Sequence, residues 1–150
     1  MAKNVDATKS MGGGVPFKGA GRLFVLENTV DIDDLVANSA FVSADVIQAI
    51  PVSDGMRVMG TELEMVTPSD DGTGVTADIG DGDDPNGFDA AVDLKGVAGT
   101  ITATAIGTDA YGASGKRYAA ADTIDVIPTY QGSPTVYGKF KIRAWGMWMK

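Results

Sequence analysis

No cysteine and no histidine occur among the 150 residues. Without cysteine there are no disulfide staples, thiolate nucleophiles or cysteine-held zinc. Without histidine the usual general base near neutral pH and the commonest transition-metal ligand are both missing. Serine–histidine triads and histidine-held metals are therefore excluded, and a catalyst would have to work with Asp, Glu, Lys, Tyr or Ser alone. The reading is of a protein that is not an enzyme and uses no cofactor. No apolar run approaches the ~18–20 residues that a membrane span needs. The opening Met1-Ala2-Lys3-Asn4-Val5-Asp6 lacks the apolar stretch of a secretory leader. The expectation is synthesis in the cytoplasm and no membrane partner. Glutamate is also scarce, with 3 against 17 aspartates, which suits turns and loops better than helices.

What charge there is lies unevenly. Residues 1–22 hold Lys3, Lys9, Lys18 and Arg22 against Asp6, a balance of +3. Residues 23–115 hold 17 acids against Arg57 and Lys95, a balance of −15. Residues 116–150 hold six bases against Asp122 and Asp125, a balance of +4, and the whole chain carries −8. A body this acidic argues against nucleic acid, whose binding rests on neutralising phosphates. Basic ends on an acidic body either orient the molecule on a charged protein surface or are incidental lysines of a soluble acidic protein.

A chain of this length buries roughly 68–70% of its unfolded surface in a single core, so it needs no staple to fold. Residues 1–20 read as a basic, glycine-rich arm: Met11-Gly12-Gly13-Gly14-Val15-Pro16 shows no apolar periodicity. From Arg22 onward residues 21–150 read as one β-sandwich domain. Leu23-Phe24-Val25-Leu26 is apolar throughout, as in a strand covered on both faces. Asp31–Asn38 has room for one or two helical turns. Val46–Ile50 reads as a strand stopped by Pro51.

Period-two alternation then dominates, as expected where successive side chains point to opposite faces. It places Met59, Thr61, Leu63 and Met65 inward, opposite Glu62 and Glu64. It likewise places Val75, Ala77 and Ile79 inward, then Ile101, Ala103 and Ala105, then Ile124 and Val126 around an outward Asp125. In the last strand Val136, Phe140, Ile142 and Ala144 oppose Tyr137, Lys139, Lys141 and Arg143. Turn residues such as Asp70-Asp71-Gly72, Asn86-Gly87 and Gly132-Ser133-Pro134 separate the runs. Seven or eight short strands with few helices give an all-β fold, an antiparallel β-sandwich or jelly roll with an extended N-terminal arm.

The motifs that could carry chemistry are weak. The loop from Asp78 to Asp89 is rich in carboxylates and suggests calcium, but Pro85 falls where an EF-hand needs a ligand. A solvated Asp/Gly hairpin is the favoured reading, with no metal. Glu62 and Glu64 are ~7 Å apart on one strand face, and a glycosidase pair would instead flank a cleft. Gly80-x-Gly82 is followed by Asp84-Pro85 where a dinucleotide fold would open a helix, and Gly115-Lys116 lacks the rest of a phosphate loop. The last strand says more. Alternation puts Trp145 and Met147 on the outward face with Lys139, Lys141 and Arg143, which suits a contact surface. The alternative is that the sheet bends there and both residues pack inside. With Lys3, Lys9 and Lys18 of the arm, these eight residues are the candidate partner-binding set, and no catalytic residue is assigned.

Several segments together also resemble a known group. An early strand ending in Asp54-Gly55, the strand Met56–Thr67, then ADIGDGDDPNGFDAAVDL, GKRYAAADTIDVI and YGKFKIRAWGMW are similar to small virion proteins of tailed bacteriophages. The resemblance spans roughly residues 45–148 and assigns no residue-level roles. It implies a capsid decoration or cement protein, often trimeric, that binds the major capsid protein shell at its junctions and stabilises it. Its location would be the virion's capsid surface, after synthesis in the host cytoplasm. A head-fibre, head–tail joining or tail component is the nearest alternative. A calcium-dependent carbohydrate-binding β-sandwich module is the alternative of another class, and an acid-only hydrolase comes third.

Overall fold

The computed structural model describes residues 3–6, 21–69, 73–103, 110–112, 114–132 and 137–149. Within them the chain runs β1 (Asn4–Asp6), β2 (Leu23–Asp31), α1 (Ile32–Ser39), β3 (Val46–Val52), β4 (Met56–Thr67) and β5 (Gly74–Gly80). It continues β6 (Asp89–Asp93), β7 (Ile101–Ala103), β8 (Lys116–Arg117), β9 (Asp122–Gln131) and β10 (Lys139–Trp148). One sheet has the order β1-β3-β9-β5-β6, and the other β2-β10-β4-β7 with β8 also on β4. All pairings are antiparallel except β1 with β3. The inward residues of both sheets form one apolar core, including Phe24, Val30, Ile47, Leu63, Ile79, Ile124, Phe140, Ile142 and Trp148. This is the β-sandwich that the alternation predicts.

A polar tie joins the sheets inside that core. Ile50 pairs with Ile124 and Gln48 with Asp125, so Ala49 is an extra residue in β3, the mark of a β-bulge. The buried Asn28 of β2 donates from Nδ2 to the Ala49 carbonyl at 2.8 Å, so a side chain of one sheet serves backbone of the other. At the end of β2, Asp31 caps α1 by accepting from the Asp33 and Asp34 amides. The helix ends at Ala40, which holds the left-handed conformation (φ 48°, ψ 48°) that glycine usually supplies.

Five strand-level expectations are corrected. β2 is not covered on both faces: Phe24 and Leu26 are buried, whereas Leu23 and Val25 are 79% and 70% exposed. β3 does not stop at Pro51. β1 covers only Val46–Gln48, so no neighbour on that edge needs an amide from residue 51. In β4, Met59 points outward because the register to β10 steps from Gly60 to Val58, and Val58 takes the inward place. Ile101 pairs with Glu64 at the sheet edge and shares its outward face, leaving it 55% exposed. Asp125 is buried rather than solvent-directed, for reasons given below.

Of the segment read as an arm, residues 4–6 form β1, and Val5 is buried in the core. Asp45 fixes this entry: its buried side chain accepts from the Lys3 amide at 2.8 Å and the Val42 amide at 3.0 Å. Burial works to raise the Asp45 pKa, but these amides and the charge of Lys3 outweigh it and lower it. Met11–Pro16, Ala105, Val136 and the turns at 70–72 and 133–134 lie outside the described residues.

Candidate functional site

Two regions carry side chains that the core does not absorb: the outer face of the β2-β10-β4 sheet, and the loop between β5 and β6. On the outer face, strand register puts Trp145 directly between Val25 and Gly60, and Met147 between Leu23 and Arg57. The Trp145 ring lies so close to Gly60 that a Cβ there would collide with it. Gly60 thus has a spatial role, and Trp145 is left half-buried on the outside instead of turning into the core. Trp148, three residues on, faces inward and packs edge-on against Phe24 with ring centres 6.5 Å apart. Leu23, Val25, Trp145 and Met147 form an apolar strip across β2 and β10, and Met59, bulged in β4 next to Gly60, is also exposed.

The other half of the same face is charged, and its acids are already paired. Arg143 sits opposite Glu27 on one side and Glu62 on the other. Its guanidinium donates to Glu27, and at 2.6 Å each to Glu62 and Glu64. Hydrogen bonding to Arg143 holds the Glu64 carboxyl below its usual range, against a smaller opposing effect of desolvation. This pair of glutamates is a clamp on one arginine. Lys139 is paired with Asp31, and Lys141 lies across from Glu64 and Thr29. Arg57 donates to the Ser114 carbonyl. Five bases (Arg57, Arg117, Lys139, Lys141, Arg143) therefore share this face with four acids (Glu27, Asp31, Glu62, Glu64). Read alone, the last strand looks basic; its neighbours supply the acids that neutralise it.

Of the remaining candidates, Lys3 is occupied within the chain, donating to the Ala40 carbonyl at 2.6 Å and lying 4.0 Å from Asp45. Lys9 and Lys18 lie outside the described residues. The structure brings Lys139, Lys141, Arg143, Trp145 and Met147 onto one face and leaves Lys3 away from them, beside β3. Sequence reasoning missed Leu23 and Val25 as members of this face. The signal for them is the both-face apolar run Leu23–Leu26, whose outward side has no cover among the described residues.

The acidic loop differs from a solvated hairpin. Asp81 is buried, and its carboxyl accepts from the Asp83 and Asp84 amides at 3.0 Å each. It also accepts the Tyr111 hydroxyl at 3.0 Å and the Tyr118 hydroxyl at 2.8 Å. Burial, then the bond to Asp81, raises the pKa of Tyr118 and keeps it a donor. Lys116 lies 2.6 Å from Asp83 and over the Tyr111 ring at 4.9 Å. The loop doubles back onto β5 so closely that a Cβ at Gly80 would strike the Asp84–Pro85 backbone. Internal donors thus occupy Asp81, and among the described residues no group of three acids is placed to hold a metal.

Asp125 lies in this neighbourhood, opposite Gly80 on β5 and Gln48 on β3, and is 6% exposed. Thr123 donates to it at 2.6 Å. Desolvation, with the nearby charges of Asp122 and Asp81, pushes its pKa up to about 6. The aromatic residues that a carbohydrate platform would expose are mostly internal: Trp148, Tyr118 and Tyr130 are all buried.

No family model matches the sequence, and no curated protein matches it. Solved structures do share the fold. A chain in the capsid of Ralstonia phage GP4 aligns with a TM-score of 0.67 at 15% identity, covering 98% of each chain. One from the acidic stable capsid structure of Helicobacter pylori bacteriophage KHP30 gives 0.59 at 13%, covering 89% of this chain and 94% of that one. One from the cyanophage Pam1 capsid asymmetric unit gives 0.55 at 14%, covering 90% and 91%. At these identities the likeness is one of fold, and it extends over nearly the full length of both chains in each case.

Proposed function

We propose that this chain is a structural protein of a phage virion, a decoration or cement protein that binds the major capsid protein shell and stabilises it. The observation that carries this reading is the end-to-end match of its sandwich to chains of three phage capsids. A fold shared in part would fit an accessory domain of many proteins; here the match covers 89–98% of this chain and 91–98% of each of those chains. The absence of histidine and cysteine and the pairing of Glu62 and Glu64 with Arg143 fit a structural role. The outer face of β2-β10-β4 is the proposed contact surface, with Trp145 and Met147 as its anchors. Buried tryptophans are common among interface residues whose loss costs about 2 kcal/mol or more.

Copy number in purified virions tests the proposal. Quantitative mass spectrometry against the major capsid protein should give hundreds of copies per particle. About a dozen copies would move the chain to the head–tail or tail region, and absence from the particle would overturn the proposal. Purified protein should also co-sediment with shells that lack it, and raise the temperature at which they come apart.

A further inference from the structure

The open edges of the two sheets are finished unequally. β6 is five residues long, carries Asp89 and Asp93, and is interrupted by Ala91 at φ 56°. Its Ala90 amide is taken by the Asp89 carboxylate at 2.9 Å. β1 and β7 have three residues each, and β3 carries Pro51 beyond the part that β1 covers. Short strands, bulges, edge charges and proline are the devices that keep an edge from pairing with a foreign strand. β2 has no proline, lysine or bulge, and its Glu27 is already bonded to Arg143. Its nine residues run beside β10 without a shift in register, and among the described residues no strand pairs with its other side.

The ladder fixes where the unpaired groups of β2 point. The Ile32 amide donates to the Gly138 carbonyl and the Trp148 amide to the Arg22 carbonyl, both at 2.8 Å. Between these two bonds the register is constant, so the even-numbered residues of β2 face β10. The amides and carbonyls of Leu23, Val25 and Glu27 therefore point the other way, sideways out of the sheet. They repeat every ~7 Å, and only another extended chain offers donors and acceptors at that repeat. Leu23 and Val25, 79% and 70% exposed, flank them with apolar side chains. A second copy of β2 fits poorly. Full antiparallel pairing about Glu27 sets Glu27 against Glu27 and Leu23 against Asp31, between chains that each carry −8.

We infer that the free edge of β2 takes an extended segment of a different virion protein as an added strand. The segment has apolar residues beside Leu23 and Val25, and an uncharged or basic residue beside Glu27. Main-chain hydrogen bonds hold it and its alternate side chains select it. This site is the edge of the sheet and not its outer face, and it rests on the proposed function only in that the partner is sought among virion proteins.

The probe is a set of overlapping synthetic peptides covering the proteins of the purified virion, each of about 15 residues and so long enough for a strand. Binding to the full-length protein is read by fluorescence anisotropy. At least one peptide should bind, and it should slow amide exchange at Leu23, Val25 and Glu27. Val25→Pro removes one edge amide without touching the ladder to β10, and should weaken that binding at least about tenfold. Val25→Thr keeps the amide in a β-branched residue, and should weaken it by less than about threefold. Unchanged far-ultraviolet circular dichroism and unfolding midpoint show that Val25→Pro is folded; if it does not fold, protection of the three amides decides alone. A peptide that binds Val25→Pro as well as the wild type, or that protects other amides instead, overturns the inference. So does slow exchange at the three amides of the free protein in a particle of doubled mass, which places a second copy on the edge. If no peptide binds while shells take up the wild type, the inference fails and the proposed function stands. If a peptide binds at the edge while shells do not take up the protein, the inference stands and the decoration role fails.

Discussion

Replacing Asp125 by Asn should stabilise the protein at neutral pH and much less in mild acid. Asp125 is almost wholly buried and accepts one side-chain hydrogen bond, from Thr123, with the charges of Asp122 and Asp81 nearby. Its pKa rises from an ordinary 3.8 to about 6, first because burial removes water from the charged form. A raised carboxyl pKa means that the folded state holds the proton more tightly than the unfolded chain. The stability this group contributes is therefore fully present below about pH 4 and is lost as pH rises through about 6. The full shift corresponds to roughly 3 kcal/mol, and screening of the neighbouring carboxylates brings the expectation to about 1–2 kcal/mol. Asparagine keeps an oxygen for the Thr123 hydroxyl and cannot ionise. Urea unfolding of both proteins at half-unit steps from pH 4.5 to 7.5 measures the difference. The variant should gain about 1–2 kcal/mol at pH 7.5 and only about a third of that at pH 4.5, with equal m-values. The net charge of −8 also changes over this range, but it acts on both proteins and cancels in the comparison. Equal stability of the two proteins at every pH, or a variant less stable at pH 7.5, would refute the reasoning.

Three further outcomes are expected from the same unfolding assay. Asn28→Ala leaves the buried Ala49 carbonyl without its partner from the other sheet, and should cost about 1–3 kcal/mol. Ala40→Gly removes the steric strain of a left-handed C-cap at φ 48°, and should gain about 0.5–1 kcal/mol and raise Tm by a few degrees. Ile142→Ala should cost roughly 2–5 kcal/mol through the cavity it leaves in the core. Trp145→Ala, on the outer face, should cost well under half of that while weakening contact with partners. Equal losses for the last pair would place Trp145 in the core.

Period-two patterning made most of the sandwich readable, because inward residues of β4, β5, β9 and β10 alternate over long stretches. It failed where a bulge or an edge intervenes. Met59 breaks the phase of β4 because an extra residue enters the strand there, and no residue type announces that step. Ile101 looks like a core residue until its pairing with Glu64 at the sheet edge fixes its direction. Asp125 looks outward by phase, yet it is 6% exposed, and neither its residue type nor its spacing announces that burial. The Asp81 arrangement was out of reach for a similar reason. Its hydroxyl donors, Tyr111 and Tyr118, lie 30 and 37 positions away in the sequence.

The two outer faces of the sandwich are finished differently, and that difference bears on where a partner binds. On the β3-β9-β5 side the chain covers its own sheet at Gly80, folding the Asp81–Phe88 loop back onto β5. Tyr111, Tyr118 and Lys116 hold that loop, and the nearby acid is removed from water at the cost of a raised pKa. On the β2-β10-β4 side the chain pairs its charges and leaves its hydrophobic strip open. Paired charges do not need water as free ones do, so covering this face forfeits little solvation, whereas covering free lysines would forfeit much. Burying the strip recovers about 25 cal/mol for each Å² of apolar surface removed from water. A face whose ions are satisfied in advance and whose apolar residues are not has the energetics of an interface before any partner arrives.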